Sequence, residues 1–132
     1  MSEATPRPAF APGSHSIEAY GKGAFAFAGM SHQGAILATP RGVQPIDATS
    51  INDLNPAALA PLLAEIAESP GSIEFVIVGT GERLAPIPKA SRGALTKAGL
   101  RFEAMATGAA LRVYNVMQSE GRRVSAALIA AP

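Results

Sequence analysis

Apolar residues change their spacing near the middle of this chain, and the change is clearest over residues 72–84. There Ile73 to Val78 is apolar apart from Glu74, and the run stops at Gly79-Thr80-Gly81. A run without polar alternation suits a strand covered on both faces, as in a parallel sheet. Upstream the pattern is of short apolar groups separated by turns. Residues 17–20, 24–28, 35–39 and 43–46 predict an antiparallel meander of three or four strands, with breaks at Gly21-Lys22-Gly23, at residues 29–33 and at Pro40-Arg41-Gly42. The period then lengthens. Leu59, Leu62, Leu63 and Ile66 share one helical stripe, with Glu65 and Glu68 off it. Asn55-Pro56 supplies a cap and a first-turn proline, so a helix is expected from there to Ser69-Pro70-Gly71. Pro61 either bends that helix or separates its first turn.

Beyond the central run, residues 89–98 predict a second helix that buries Ala90, Ala94, Leu95 and Ala98 and stops at Gly99. Residues 100–105 read as a strand, Thr107 as the cap of a third helix reaching about Ser119, and residues 122–130 as a last strand. A meander followed by alternating helices and strands implies a mostly parallel sheet with helices packed on it. The fold class is α/β. Residues 1–14, with Pro6, Pro8 and Pro12, read as a flexible arm, and residues 15–132 as a single domain.

Composition narrows the chemistry. The apolar fraction is 48% and the charged fraction 16%, as in compact globular proteins. A net charge of +1 without blocks of like charge argues against broad nucleic-acid binding, which needs a concentrated basic surface. Cysteine is absent, His15 and His32 are the only histidines, and Asp47 and Asp53 the only aspartates. A zinc site with several His or Cys ligands is therefore not expected, and a Ser-His-Asp triad would have to draw on those few residues. His32 follows Met30-Ser31 in a turn and could be a general base, and Asp47 and Asp53 read as turn or capping residues. No catalytic residue, metal or cofactor is expected. The longest apolar tracts fall well short of the roughly 20 residues of a spanning helix, so no membrane span and a cytoplasmic location are expected.

In an open α/β sheet, ligands lie beyond the carboxyl ends of the strands. Two loops reach that edge, Gly79-Thr80-Gly81 and Thr107-Gly108. If their strands are neighbours, free backbone N–H groups and the positive end of the third helix would point into the gap. Arg83 and Arg112 could add charge, giving a pocket for a small anion or carboxylate. The plainer reading is that glycine here permits close packing and Thr107 merely caps. Two prolines follow the glycine turn where a phosphate loop would start a helix. Tyr114 and Asn115, beside Val113 and Val116, either face this crevice or satisfy their hydrogen bonds structurally.

With the third helix in place a resemblance emerges. Gly79-Thr80-Gly81, the run from Met105 through Thr107-Gly108-Ala109-Ala110 to Tyr114-Asn115-Val116, and Glu120-Gly121-Arg122-Arg123-Val124 resemble one family. So do Tyr20-Gly21-Lys22-Gly23, His32-Gln33-Gly34 and Pro40-Arg41-Gly42-Val43 upstream. It is the group of small uncharacterised domains that includes the mitochondrial complex I (NADH:ubiquinone oxidoreductase) assembly factor 3. The resemblance covers residues 15–131 and implies a three-layer α/β fold with a mixed central sheet and a small β layer from the first half. It implies no established enzyme activity. It points to an interaction or assembly factor for a respiratory membrane complex, with a protein partner and peripheral membrane association through it. The arm is neither Arg-rich nor amphipathic, so a bacterial relative is expected rather than a mitochondrial one. The alternative is a small-molecule or anion binder, or an enzyme, using the crevice between Gly79-Gly81 and Thr107-Gly108. A homodimer through exposed meander edges is compatible with either.

Overall fold

A computed structural model describes residues 11–132. The strands are β1 (Ala11–Pro12), β2 (Ala19–Gly21), β3 (Ala24–Phe27), β4 (Met30–Gln33), β5 (Ile36–Thr39), β6 (Gly42–Pro45), β7 (Phe75–Gly79), β8 (Arg101–Met105) and β9 (Val124–Leu128). The helices are α1 (Ala60–Glu68), α2 (Lys89–Lys97) and α3 (Thr107–Ser119), and a 3-10 turn spans Ile51–Asp53. Of the expected arm, residues 1–10 lie outside the described part. Ala11–Pro12 pairs antiparallel with β6, Ala11 opposite Val43.

Six strands form the main sheet in the order β1-β6-β5-β9-β7-β8, and β2-β3-β4 form a second, antiparallel sheet. The first-half meander is thus divided between two sheets. β3 alternates, with Phe25 and Phe27 buried and Ala24 and Ala26 half-buried, as a strand with one covered face does. In β5 every residue is buried, which requires cover on both faces, so β5 and β6 join the main sheet. That sheet is mixed, not mostly parallel. β7 runs parallel to β8 and β9, whereas β5 pairs antiparallel with β6 and β9. Residues 29–33, expected to be a break, contain β4. The loop before it is only Ala28-Gly29, both at positive φ (51° and 76°), which is the mirror-image turn that joins tightly twisted hairpin strands.

α1 begins at Ala60 rather than at Pro56. Asn55 Oδ1 accepts the Ala58 N–H at 2.9 Å and caps a preceding turn, and Pro61 falls in the first turn of α1, where its missing N–H leaves no bond unmade. Glu65, expected off the apolar stripe, is buried and accepts a 2.7 Å hydrogen bond from the Thr39 hydroxyl of β5. In α2 the buried residues are Ser91 and Leu95, with Ala94 and Ala98 half-buried and Ala90 exposed. Ser91 Oγ donates to Leu54 O at 2.5 Å, which satisfies a buried hydroxyl.

Two cores flank the main sheet. Leu37, Val76, Val78 and Ala127 face α1 and α2 through Leu62, Ile66 and Leu95. Ile36, Ile77, Ala126 and Leu128 face α3 and the small sheet through Leu111, Tyr114, Phe25 and Phe27. The result is three layers, with α1 and α2 on one side and α3 beside the small sheet on the other. Each buried Leu, Ile or Phe contributes about 1.5–3 kcal/mol relative to exposure.

Candidate functional site

β7 and β8 run in register, with Gly79 opposite Met105, so their following loops leave the sheet side by side. Thr80 N–H donates to Met105 O at 2.8 Å. Thr107 N–H donates to Gly81 O at 2.8 Å, and Gly81 N–H donates to Thr107 Oγ1 at 2.9 Å. The same Thr107 hydroxyl donates to Ile129 O at 2.7 Å, while Ile129 N–H donates to Gly79 O at 2.9 Å. One fully buried side chain therefore ties together the ends of β7 and β9 and the start of α3. Gly79 permits the approach. A Cβ there would stand 2.9 Å from Leu128 Cδ2, 3.0 Å from Thr107 Oγ1 and 3.1 Å from Thr107 Cα, so the start of α3 would have to give way.

The gap between Gly79-Gly81 and Thr107-Gly108 is thus occupied by Thr107 itself. The N–H groups of Thr80, Gly81 and Thr107 each have a protein acceptor. Thr107 is also not the helix cap. Ala106 holds that position, without a side-chain cap bond, and Thr107 bridges strands instead. Thr80 Oγ donates to Arg83 O at 2.6 Å and accepts the Ala85 N–H at 3.1 Å, closing the loop on itself. Arg83 and Arg112 are exposed, and Arg83 contributes its carbonyl to this loop. Gly108 is covered by Tyr20 of β2, whose hydroxyl would collide with a Cβ at Gly108. Sequence reasoning left Tyr20 out of the site. Its signals were a place in a short strand and in the Tyr20-Gly21-Lys22-Gly23 motif, and nothing local says that the strand lies over α3.

Tyr114 and Asn115 do a separate task. The Tyr114 side chain is buried, and its Oη donates to His15 O at 2.8 Å. Burial pushes its hydroxyl pKa up to about 12. Asn115 Oδ1 accepts the Ile17 N–H and its Nδ2 donates to Ile17 O, both at 2.8 Å, as a neighbouring strand would. Gln118 Nε2 adds a 3.1 Å bond to Ser14 Oγ. These three side chains strap residues 14–17 across α3.

His32 is half-buried on β4 opposite Phe25, and desolvation lowers its pKa. It borders a cleft of about 470 Å³ that Asp47 and Thr49 also line. The Asp53 carboxylate accepts bonds from the Thr49 hydroxyl and from the Thr49 and Ser50 N–H groups, which hold its pKa below the usual value. Among the described residues no cluster of three His, Asp or Glu could hold a metal ion, and no helix is long and apolar enough to cross a membrane. Among the described residues four large apolar side chains are exposed: Leu84 (68%), Val116 (57%), Tyr20 (42%) and Met30 (41%).

These features define a class: an α/β domain with a mixed six-stranded sheet, a three-stranded sheet and three helices, closed by a glycine–threonine junction at the carboxyl edge. The chain belongs to the family described as protein of unknown function (DUF498/DUF598), whose pattern matches residues 17–129. It is 38% identical over 125 residues to an uncharacterized protein of Rhodobacter capsulatus, covering 95% of this chain and 91% of that one. Among solved structures it is similar to an outer membrane protein from Bartonella henselae, with 37% identity and a TM-score of 0.85 over 92% of this chain and 99% of that one. It is also similar to a Mth938-like domain from Bordetella pertussis, with 29% identity and a TM-score of 0.74 over 94% of this chain and 89% of that one.

Proposed function

We propose that this chain works by binding another protein, without a catalytic step of its own. Following the resemblance to complex I assembly factor 3, we take the partner to be a subunit or assembly protein of a respiratory membrane complex. The protein would then be cytoplasmic and reach the membrane only through that partner. The observation that carries the reading is the filled carboxyl edge. Where an α/β sheet commonly holds its small ligand, the Thr107 hydroxyl bonds Gly81 and Ile129, and Tyr20 covers Gly108. The exposed side chains of Leu84 and Val116 can each take an apolar contact from a partner instead.

The test is recovery of the tagged chain from its native cell after mild cross-linking, with bound proteins identified by mass spectrometry. Respiratory-complex subunits are expected, reduced by L84D and V116D. Their absence overturns the assembly reading. The competing reading, an anion held between residues 79–81 and 107–108 beside Arg83 and Arg112, requires Tyr20 to swing off Gly108. It makes its own demand: phosphate or citrate must raise the melting temperature, since a ligand of the folded state stabilises it.

A further inference from the structure

The two ends of the six-stranded sheet are finished differently. At one end β1 is two residues long and includes Pro12, which has no N–H to offer a further strand. At the other end β8 has five residues, Arg-Phe-Glu-Ala-Met, with neither proline nor glycine. Among the described residues it pairs only with β7. It is also the one strand of that sheet in which no residue is buried. Exposed edges of this length template the pairing of another strand, and proteins usually shorten, cover or interrupt them.

Beside this edge, between β8 and α2, lies a cleft of about 620 Å³ lined by Lys89, Arg92, Gly93, Thr96, Lys97 and Phe102. Its rim carries three cations and no anion. Phe102 is half-buried and packs on the α1/α2 core. Alternation puts Arg101, Glu103 and Met105 on the opposite face of β8, toward α3, so the acid of this strand does not neutralise the cleft. Arg92 is held at the rim, its Nε donating to Ile87 O at 3.1 Å. Gly93 lies inside α2, and a Cβ there would meet nothing within 4 Å. A helical glycine without steric need costs roughly 0.5–1 kcal/mol relative to alanine, and here its effect is to keep the cleft wall low.

We propose that the β8 edge and this cleft bind an extended acidic segment of the partner protein. The segment adds to β8 as a seventh strand, and on its face toward α2 it places an apolar side chain over Phe102 with carboxylates two residues to either side, turned toward Lys89, Arg92 and Lys97. The proposal rests on the protein-binding reading above and supplies the chemistry of the partner. Main-chain bonds to a free edge give such a complex its affinity, and side chains on one face give it specificity. Charge decides against a second copy as occupant. Pairing β8 with β8 would bring two sets of Lys89, Arg92 and Lys97 to the same place, a like-charge arrangement that disfavours assembly.

The experiment uses the whole chain and a synthetic octapeptide, Thr-Glu-Thr-Val-Thr-Glu-Thr-Asp, whose second, fourth, sixth and eighth side chains share one face, beside its Lys-for-acid counterpart and a single-stranded oligonucleotide. Binding is read by fluorescence anisotropy, and the site by amide hydrogen exchange. The acidic peptide is expected to bind and to slow exchange at residues 101–105, with affinity falling as salt rises. K89E/R92E/K97E and G93L are expected to weaken it about tenfold or more. The altered positions are all exposed, so the charge reversal should lower the melting temperature by no more than the loss of the Arg92–Ile87 bond, and G93L should raise it slightly. Equal binding to the charge-reversed protein, protection elsewhere, tighter binding of the oligonucleotide, self-association through β8 or no peptide binding would each overturn the proposal. If native partners are recovered but cross-link away from β8, the docking site fails while protein binding stands. If no partner is recovered and the peptide still binds, the reverse holds.

Discussion

The Thr107 hydroxyl joins the loop after β7, the residue after β9 and the start of α3. Replacing it with valine keeps the volume but leaves the Gly81 N–H and the Ile129 carbonyl without their side-chain partner in a buried place. Each orphaned group costs roughly 1–3 kcal/mol, so T107V is expected to lose about 2–4 kcal/mol in urea unfolding, and T107S, which keeps the hydroxyl, distinctly less. Equal losses in the two variants would show that the methyl, not the bridge, matters. Tyr114 makes a pH-dependent claim. Its folded pKa is raised to about 12, above the ordinary value of 10, because burial disfavours the phenolate. The unfolded chain therefore releases this proton first, and the contribution is complete below pH 10 and lost as pH rises toward 12. Wild type should lose stability between pH 10 and pH 12 more steeply than Y114F, and identical slopes would remove the assignment. Gly79, Gly81 and Thr107 were legible in the sequence as a close junction. That Thr107 reaches Ile129 was not, because it depends on β9 lying beside β7, a contact between residues 22 apart in sequence. Tyr20 over Gly108 escaped for the same reason.

At the scale of elements, sequence reasoning succeeds where a signal is local. The runs that became β7, α2, β8, α3 and β9 stand within two residues or so of their expected places, because period and stop signals agree there. It fails at α1, where Asn55 caps a turn rather than the helix, and at β4, whose polar surface hides a strand. The β3–β4 loop explains why β4 was missed: Ala28 takes the left-handed conformation (φ 51°) that a sequence reader assigns to glycine, asparagine or aspartate. For an L-residue this conformation costs roughly 1–2 kcal/mol. Because Ala28 is exposed, A28G relieves that strain without opening a cavity. Glycine's greater unfolded freedom offsets part of the gain, leaving an expected stabilisation of about 0.5–1 kcal/mol in thermal or urea unfolding. A28V, with branching at the same backbone angle, should destabilise. The opposite order would mean that this turn is not of the mirror-image type.

For the whole molecule, the decisive fact is that the last strand is central. β9 sits between β5 and β7, antiparallel to one and parallel to the other, and all five of its residues are buried. Its Ser125 hydroxyl donates to Ala38 O at 2.8 Å across 87 residues of sequence. The two halves of the main sheet meet only through this strand, so breaking its pairing means breaking both cores. Opening β8 breaks one ladder, to β7, and exposes no residue that was buried in β8 itself. Backbone groups that open only with the whole molecule exchange slowly, and those freed by local opening exchange sooner. In native-state hydrogen exchange without a partner, the bonded amides of β7 and β9 should therefore share the highest protection, equal to the free energy of global unfolding. Those of β8 should exchange through a smaller opening that denaturant hardly accelerates. Protection of β8 equal to that of β9 would contradict this, and would mean that the edge is already held by something other than β7. A β8 that opens locally in isolation and closes on an acidic strand would join the stability map of the molecule to its proposed docking edge. A seventh strand gives β8 the second neighbour that every interior strand of the sheet already has.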